Sequence, residues 1–208
     1  MTDPGRMTLY WSPRSPFVRK VMVVAHEVGL ADLIDLAPTV VRMAQSHETL
    51  ISFNPMGKIP SLRLADGSLV FDSIVIAEYL NTLGGGSLFP EGQARWPALT
   101  LEAVANALLD ILVLWRNERD KPAERQTAEW VAAFTRKTEA TLGYFEQIAP
   151  RLGQEAFNIA HVSIGCGLSY LDFRFPALGW RKGRPNLAAW HEMFCTRASA
   201  RASVIKDN

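Results

Sequence analysis

Over the first eighty residues the apolar positions arrive in short bursts, and their spacing alternates between two and three to four. Residues 7–11 (MTLYW) are a brief apolar and aromatic run and predict a strand. Val18, Val21, Met22 and Ala25 follow at helical spacing within residues 16–29, and Gly29 stops them. Residues 33–38 (LIDLAP) predict a second strand, and the polar stretch 42–52 is weakly helical. Two apolar runs then flank Ala65-Asp66-Gly67-Ser68, where Asp-Gly signals a hairpin. Residues 72–82 open on Asp72 and turn helical. The order is β-α-β then β-β-α, an α/β unit with helices on the faces of a small mixed sheet.

After residue 82 the rhythm changes. Residues 83–95, with LGGGSLFPEG at their head, are rich in Gly and Pro and predict a linker between a domain over 7–82 and another over 96–208. Beyond it the pattern is helical throughout. Residues 96–119 carry Leu99, Leu101, Val104, Leu108, Ile111, Leu112 and Trp115. Residues 122–148 carry Trp130, Phe134, Leu142 and Phe145. Residues 158–173 are nearly all apolar, as suits the centre of a bundle, and residues 185–195 begin with Pro185, a good first-turn residue.

Composition narrows the function. A net charge of +1 argues against nucleic acid and against a polybasic membrane patch as partners. No apolar run reaches the roughly 18 residues of a membrane span. The start, MTDPGRM, has no apolar signal region and reads as a loose tail over residues 1–6. A cytoplasmic protein is expected. Cys166 and Cys195 sit in apolar stretches without CxxC spacing, so buried thiols are expected rather than a disulfide or a metal site. His26, His47 and His191 have no metal spacing and read as solvated or core histidines.

Three short stretches carry candidate chemistry. In YWSPRSPFVRKV, Ser15 precedes Pro16 at a helix start, where serine is a good cap and proline a good first residue. The same geometry presents unpaired N–H groups and the positive end of the helix dipole to an anion. A hydroxyl there can donate to a thiolate and lower a bound thiol's pKa from about 8.5. In NPMGKIPSL, Pro60 lies at the start of a strand, which suggests a special backbone, a cis bond or an edge-strand proline. There the N–H and C=O of Ile59 would be ready to pair with an extended peptide. In FDSIVIAEYL, Asp72 is a good cap, and with Ser73 it offers groups for an ammonium and a carboxylate. Each stretch also has a plain reading as a cap or an edge. Together they imply a short thiol-bearing peptide with a free amino-acid end.

The three stretches, in this order and spacing, resemble the N-terminal domain of bacterial, serine-type glutathione S-transferases. The later segments LFP, ARWPAL, LLDILVLWRNE and SIGCGLSYLDFR extend the resemblance over nearly the whole chain. It implies a thioredoxin-like N-terminal domain followed by an all-α bundle, usually a homodimer, acting in detoxification. The implied reaction is attack of the glutathione thiolate on a small hydrophobic electrophile, with glutathione as co-substrate and no metal. Ser15 would stabilise the thiolate, since Ser15-Pro16 falls where related redox folds place the first Cys of Cys-Pro-x-Cys; Ser12 is the competing candidate. Ile59 would pair backbone to backbone with the cysteinyl part, Pro60 would be the cis proline, Asp72 and Ser73 would hold the γ-glutamyl end, and Lys58 would reach the glycine carboxylate. Tyr10, Trp11, Asn106, Asp110 and Trp115 are candidates for the electrophile pocket, with packing roles the alternative for each.

The chain departs from the family pattern in two places. The bundle-core helix usually begins Ser/Thr-x-x-Asp; here it reads NIAH, Asn158 to His161. An imidazole in place of the carboxylate implies a stability loss of about 1 kcal/mol unless His161 finds another partner. The stretch VANAL near residue 106 stands where many bacterial relatives carry Ala-Asp-Gly. The competing functions are a non-catalytic glutathione-binding or interaction protein, and glutathione-dependent peroxide reduction, isomerisation or dehalogenation on the same site. Disulfide reduction is disfavoured because no cysteine precedes residue 166.

Overall fold

The computed structural model describes residues 5–207; most of the expected tail at residues 1–6 therefore lies outside them. Contacts divide the chain into two units. One comprises the chain through Phe89 together with the segment from Ala198 onward; the other is Pro90–Arg197.

The first unit is built on a four-stranded sheet in the order β2-β1-β3-β4. Strand β1 (Met7–Trp11) runs parallel to β2 (Ile34–Pro38) and antiparallel to β3 (Ser61–Arg63), which pairs antiparallel with β4 (Leu69–Val70). Alternation buries Met7 and Leu9 on one face of β1, with Leu9 opposite Leu36 on one side and Leu62 on the other. Helix α1 (Pro16–Glu27) connects β1 to β2, and α3 (Ser73–Leu83) follows β4. The result is the thioredoxin-like βαβ-ββα arrangement. The hairpin forms around the anticipated turn: Gly67 takes φ +85°, a value that favours glycine, and the Asp66 carboxylate accepts from the Ser68 N–H at 2.8 Å.

Two local details differ from the sequence pattern. The weak helix over 42–52 contracts to α2 (Glu48–Ile51), because His47 is extended and its Nδ1 accepts the Leu50 N–H at 3.2 Å. Helix α1 buries Arg19 and Lys20 as well as Val18, Val21, Val24 and Ala25. The face bearing Arg19 is covered by α8 (Ala198–Ala202): the Arg19 guanidinium donates to the Ala200 carbonyl at 3.4 Å.

The second unit contains α4 (Arg95–Arg119), α5 (Ala128–Leu152), α6 (Ile159–Arg174) and α7 (Pro185–Thr196). Helix α6 is buried from Ile159 to Leu171 and is the centre of this unit. Helix α4 is long and apolar enough by length and composition to cross a bilayer, yet Leu101, Ala105, Leu108, Leu109 and Leu112 are buried within the unit, where α4 packs on α6 and α5. Helix α5 starts at Ala128 rather than 122, because the buried Glu118 carboxylate accepts the Thr127 N–H at 2.7 Å and pairs with Lys121, holding the connection in a path whose one helical piece is the 3-10 turn Ala123–Arg125. Its buried stripe is Thr138, Leu142, Phe145, Ala149 and Leu152; Trp130, one of the apolar residues that marked the helix, is 55% exposed. Cys166 is buried as expected, whereas Cys195 is exposed.

The NIAH start of α6 corrects a further expectation. Asn158 Oδ1 accepts the Ala160 N–H at 3.0 Å, and His161 completes the capping box by accepting the Asn158 N–H on Nδ1 at 3.2 Å. Its Nε2 faces the Leu152 carbonyl at 3.1 Å. His161 has found its partners, so the expected loss does not apply.

Close packing around α6 yields a testable consequence. A Cβ added to Gly165 would lie 2.5 Å from the ring of Phe194 on α7, far inside contact distance. Gly165→Ala is expected to destabilise the protein by about 2 kcal/mol through overpacking, read as a lower midpoint in denaturant. A midpoint equal to wild type would mean that the ring yields at no cost.

Candidate functional site

Strand register brings the three sequence stretches to one end of the sheet. The β1–β3 ladder ends at Tyr10 opposite Ser61, so the chain leaving toward Ser12 and the chain arriving through Ile59-Pro60 meet the same edge. Leu62 pairs with Val70, which puts Phe71 and Asp72 alongside Ser61 and Pro60. The N-termini of α1 and α3 both open at this end.

At α1, residues 12–15 form a turn closed by the Ser15 N–H donating to the Ser12 carbonyl at 3.2 Å. Ser15 is the N-cap, with φ −88° and ψ 120°, and its Oγ accepts the Val18 N–H at 3.3 Å. That contact uses an oxygen lone pair and leaves the hydroxyl proton to donate elsewhere. Ser12 Oγ receives only a longer contact from the Arg14 N–H, 3.4 Å. Both serines are half-buried.

The second segment is organised by Asn54, which is 1% exposed. Its Oδ1 accepts the Met56 N–H at 3.0 Å, and its Nδ2 donates to Ser61 Oγ at 2.8 Å and to the Lys58 carbonyl at 3.2 Å. Ser61 Oγ adds a bond to the same carbonyl at 2.8 Å. This mesh fixes the turn through Gly57, whose φ is +57°. The Ile59–Pro60 peptide is cis, and Ile59 is buried while Lys58 is exposed. Among the described residues, neither the N–H nor the C=O of Ile59 has a hydrogen-bond partner, so a strand-like polar edge is available beside the helix N-termini.

At α3, Asp72 is the N-cap and its Oδ1 accepts the Ile74 N–H at 3.0 Å; the Phe71–Asp72 peptide is also cis. Ser73, in the first turn, is 3% exposed, and among the described residues its hydroxyl has no hydrogen-bond partner. A nearly buried hydroxyl beside N–H groups at a helix start suits a carboxylate.

The pocket candidates are placed differently from one another. The Tyr10 ring packs on Phe53 with centroids 4.7 Å apart, and the Arg63 guanidinium lies 4.8 Å from the Phe53 centroid and 6.0 Å from that of Tyr10. Trp11 ends β1 half-buried, its carbonyl accepting the Thr39 N–H at 2.7 Å. Asn106, Asp110 and Trp115 lie on α4 in the helical unit; Trp115 is 7% exposed and packs on Phe175 at 4.9 Å. Sequence reasoning missed Asn54 and Ser61. Asn54-Pro55 carried a usable turn signal, since Asn side chains bond to the backbone two residues on. Among the described residues, no group of three or more His, Cys, Asp or Glu is arranged to hold a metal ion.

A thioredoxin-like unit with two helix starts and a cis-proline loop gathered at one end, joined to an all-α unit, defines the architecture of glutathione S-transferases. The sequence matches the family model of the glutathione S-transferase N-terminal domain over residues 14–83 and that of the C-terminal domain over residues 128–192. It is 30% identical over 201 residues to the GST-like protein YibF of Escherichia coli (strain K12), covering 93% of this chain and 96% of that one. Among solved structures, a glutathione transferase family member from Pseudomonas fluorescens Pf-5 with bound glutathione is 37% identical, with TM-score 0.92, covering 97% of this chain and 100% of that one. A glutathione S-transferase from Methylobacillus flagellatus KT with glutathione bound is 32% identical, with TM-score 0.85, over 96% and 100% of the two chains. The chain belongs to the glutathione S-transferase family.

Proposed function

We propose that the protein binds glutathione at the end of its sheet and transfers the thiolate to a small hydrophobic electrophile. The observation that carries this reading is the convergence, at one end of the sheet, of two helix N-termini and the unpaired backbone of Ile59. In this reading Asp72 takes the ammonium and Ser73 the carboxylate of the γ-glutamyl end. Ile59 pairs with the cysteinyl backbone, and the exposed Lys58 reaches toward the glycine carboxylate. The sulfur lies at the start of α1, where Ser15, or Ser12 as the alternative, donates to it. The helix dipole and the hydroxyl both favour the charged form.

The P. fluorescens relative has also been solved with S-(propanoic acid)-glutathione, at 36% identity to this chain and TM-score 0.87, over 96% of this chain and 100% of that one. That compound is a thioether, a class of product that forms when a thiolate adds to an activated double bond or displaces a halide. In an addition to an alkene conjugated to a carbonyl, the new S–C bond forms at the β carbon, and the α carbon takes up a proton. Addition of this kind is accordingly the first chemistry to test. The same reading includes a cytoplasmic homodimer; a solution mass of one chain would remove the dimer from it.

Calorimetric titration with glutathione tests the site. Wild type should bind, and Ser73→Ala should bind about tenfold more weakly, since a hydrogen bond to a charged group is worth about 1.5–3 kcal/mol. No heat and no thermal shift with wild type would sink the proposal. Binding with no turnover on a panel of activated alkenes, halogenated aromatics and peroxides would leave a binding protein.

A further inference from the structure

We propose that the C-terminal segment 203–207 is a strap that positions the Ser12–Ser15 turn for its work on the bound sulfur. This rests on the glutathione-site reading above.

The segment is tied along the length of α1, running from its far end back to its start. Ser199 donates to Glu27 in the last turn of α1, and the Ala200 carbonyl accepts from Arg19 midway along it. Ser203 Oγ bonds back to the Ser199 carbonyl at 2.7 Å, and Ile205 is buried at 8% exposure. The Lys206 N–H then donates to the Pro13 carbonyl at 3.2 Å. Asp207 pairs with Arg14 at 3.2 Å, both side chains being about half exposed. Residues 193 positions apart in sequence thus meet at the two central residues of the turn whose ends are Ser12 and Ser15.

The physical consequence follows from where the bonds fall. Pro13 has no N–H of its own, so its carbonyl is the polar backbone group through which this residue can be held. Ser12 and Ser15 are tied to each other across the turn, and Lys206 and Asp207 hold the turn's outer side. A hydroxyl donates well to a sulfur anion only over a narrow range of distance and angle, so a turn free to rock loses part of that stabilisation. The exposed Arg14–Asp207 pair is weak and screened by salt. The backbone bond and the burial of Ile205 therefore carry the strap. Lys206 and Asp207 are positioning residues: neither needs to touch the ligand.

The test measures the pKa of the bound glutathione thiol by thiolate absorbance, with KM for glutathione and the melting temperature, in four proteins. Wild type sets the reference. Lys206→Pro removes the N–H donor, and Asp207→Lys reverses the charge opposite Arg14 and serves if the proline variant folds poorly. Ser199→Ala loosens the tail at Glu27, away from the turn. The strap predicts that Lys206→Pro raises the bound thiol's pKa and raises KM severalfold, that Asp207→Lys, which sets like charges in place of a weak pair, moves both in the same direction by less, and that Ser199→Ala lowers the melting temperature and leaves the thiol pKa at the wild-type value. If both turn-contacting variants melt earlier yet keep the wild-type thiol pKa and KM, the tail is only structural and the proposal fails. If wild type takes up no glutathione, the reading of the site fails, and the strap with it.

Discussion

Ser15→Ala is expected to lower conjugation about 10- to 100-fold at neutral pH, because a hydrogen bond to a charged group is worth about 1.5–3 kcal/mol and each 1.4 kcal/mol is a factor of ten. In the protein Ser15 Oγ accepts the Val18 N–H, so its proton remains to donate to a sulfur anion at the start of α1. Loss of that donor raises the pKa of the bound thiol and reduces the thiolate fraction. The alanine also removes the helix cap, which costs about 1 kcal/mol of stability. Two readouts separate the effects. Ser15→Thr keeps both cap and hydroxyl and should retain most activity and stability. Ser12→Ala loses no cap and should be milder on both counts. The thiolate absorbance titration is decisive: an unshifted bound-thiol pKa in Ser15→Ala removes Ser15 from the mechanism, and a larger shift in Ser12→Ala transfers the role to Ser12.

The sheet unit was readable because each of its elements carries its own signal. The short apolar and aromatic run Met7–Trp11, helical spacing from Val18 to Ala25, and Asp66-Gly67 between two apolar runs each name one element without help from the rest. The candidate site was proposed from signals of the same local kind, since caps and strand-start prolines mark chain positions where backbone groups are exposed. What stayed hidden depends on contacts between distant residues. Nothing in ASARA announces that α8 will cover Arg19, and a bond from the Lys206 N–H to the Pro13 carbonyl leaves no side-chain signature at all. The start of α5 was misplaced because Glu118, nine residues upstream of Thr127, holds the connection open; periodicity within a helix cannot report that. Trp130 matched the apolar rhythm and is still exposed, because the buried stripe of α5 runs through Thr138, Leu142 and Phe145.

His161 illustrates the same limit and leads to the largest stability effect expected here. Judged by charge alone, an imidazole is a poor stand-in for a carboxylate near helix amides. The second partner changes the balance. The Leu152 carbonyl can only accept, so the proton belongs on Nε2; Nδ1 then offers its lone pair to the Asn158 N–H. The Asn158 amide oxygen, 3.0 Å from the same Nδ1, is engaged by the Ala160 N–H. A carboxylate would serve the Asn158 N–H and face the Leu152 carbonyl with another acceptor. His161→Ala leaves two backbone groups unpaired in a site where the side chain is 2% exposed, and is expected to cost about 3 kcal/mol. In a chain of this size that is a fall of roughly 6–12 °C in melting temperature. His161→Gln keeps a donor and an acceptor and should lose much less than His161→Glu, which keeps only acceptors. Burial pushes the His161 pKa below its usual value, against the Leu152 hydrogen bond and Glu155, which raise it, and with Arg197 and Arg151, which lower it further. The folded state therefore binds this proton less readily than the unfolded chain does. The stability it contributes is complete above the unfolded pKa of about 6.5 and declines as the pH falls below that value toward the lowered folded one. Denaturant midpoints measured from pH 8 to pH 5 should fall in wild type more steeply than in His161→Gln. Parallel pH profiles would show that His161 is already protonated in the fold or that its proton does not matter. Equal midpoints for the Gln and Glu variants would show that the bond to Leu152 contributes nothing.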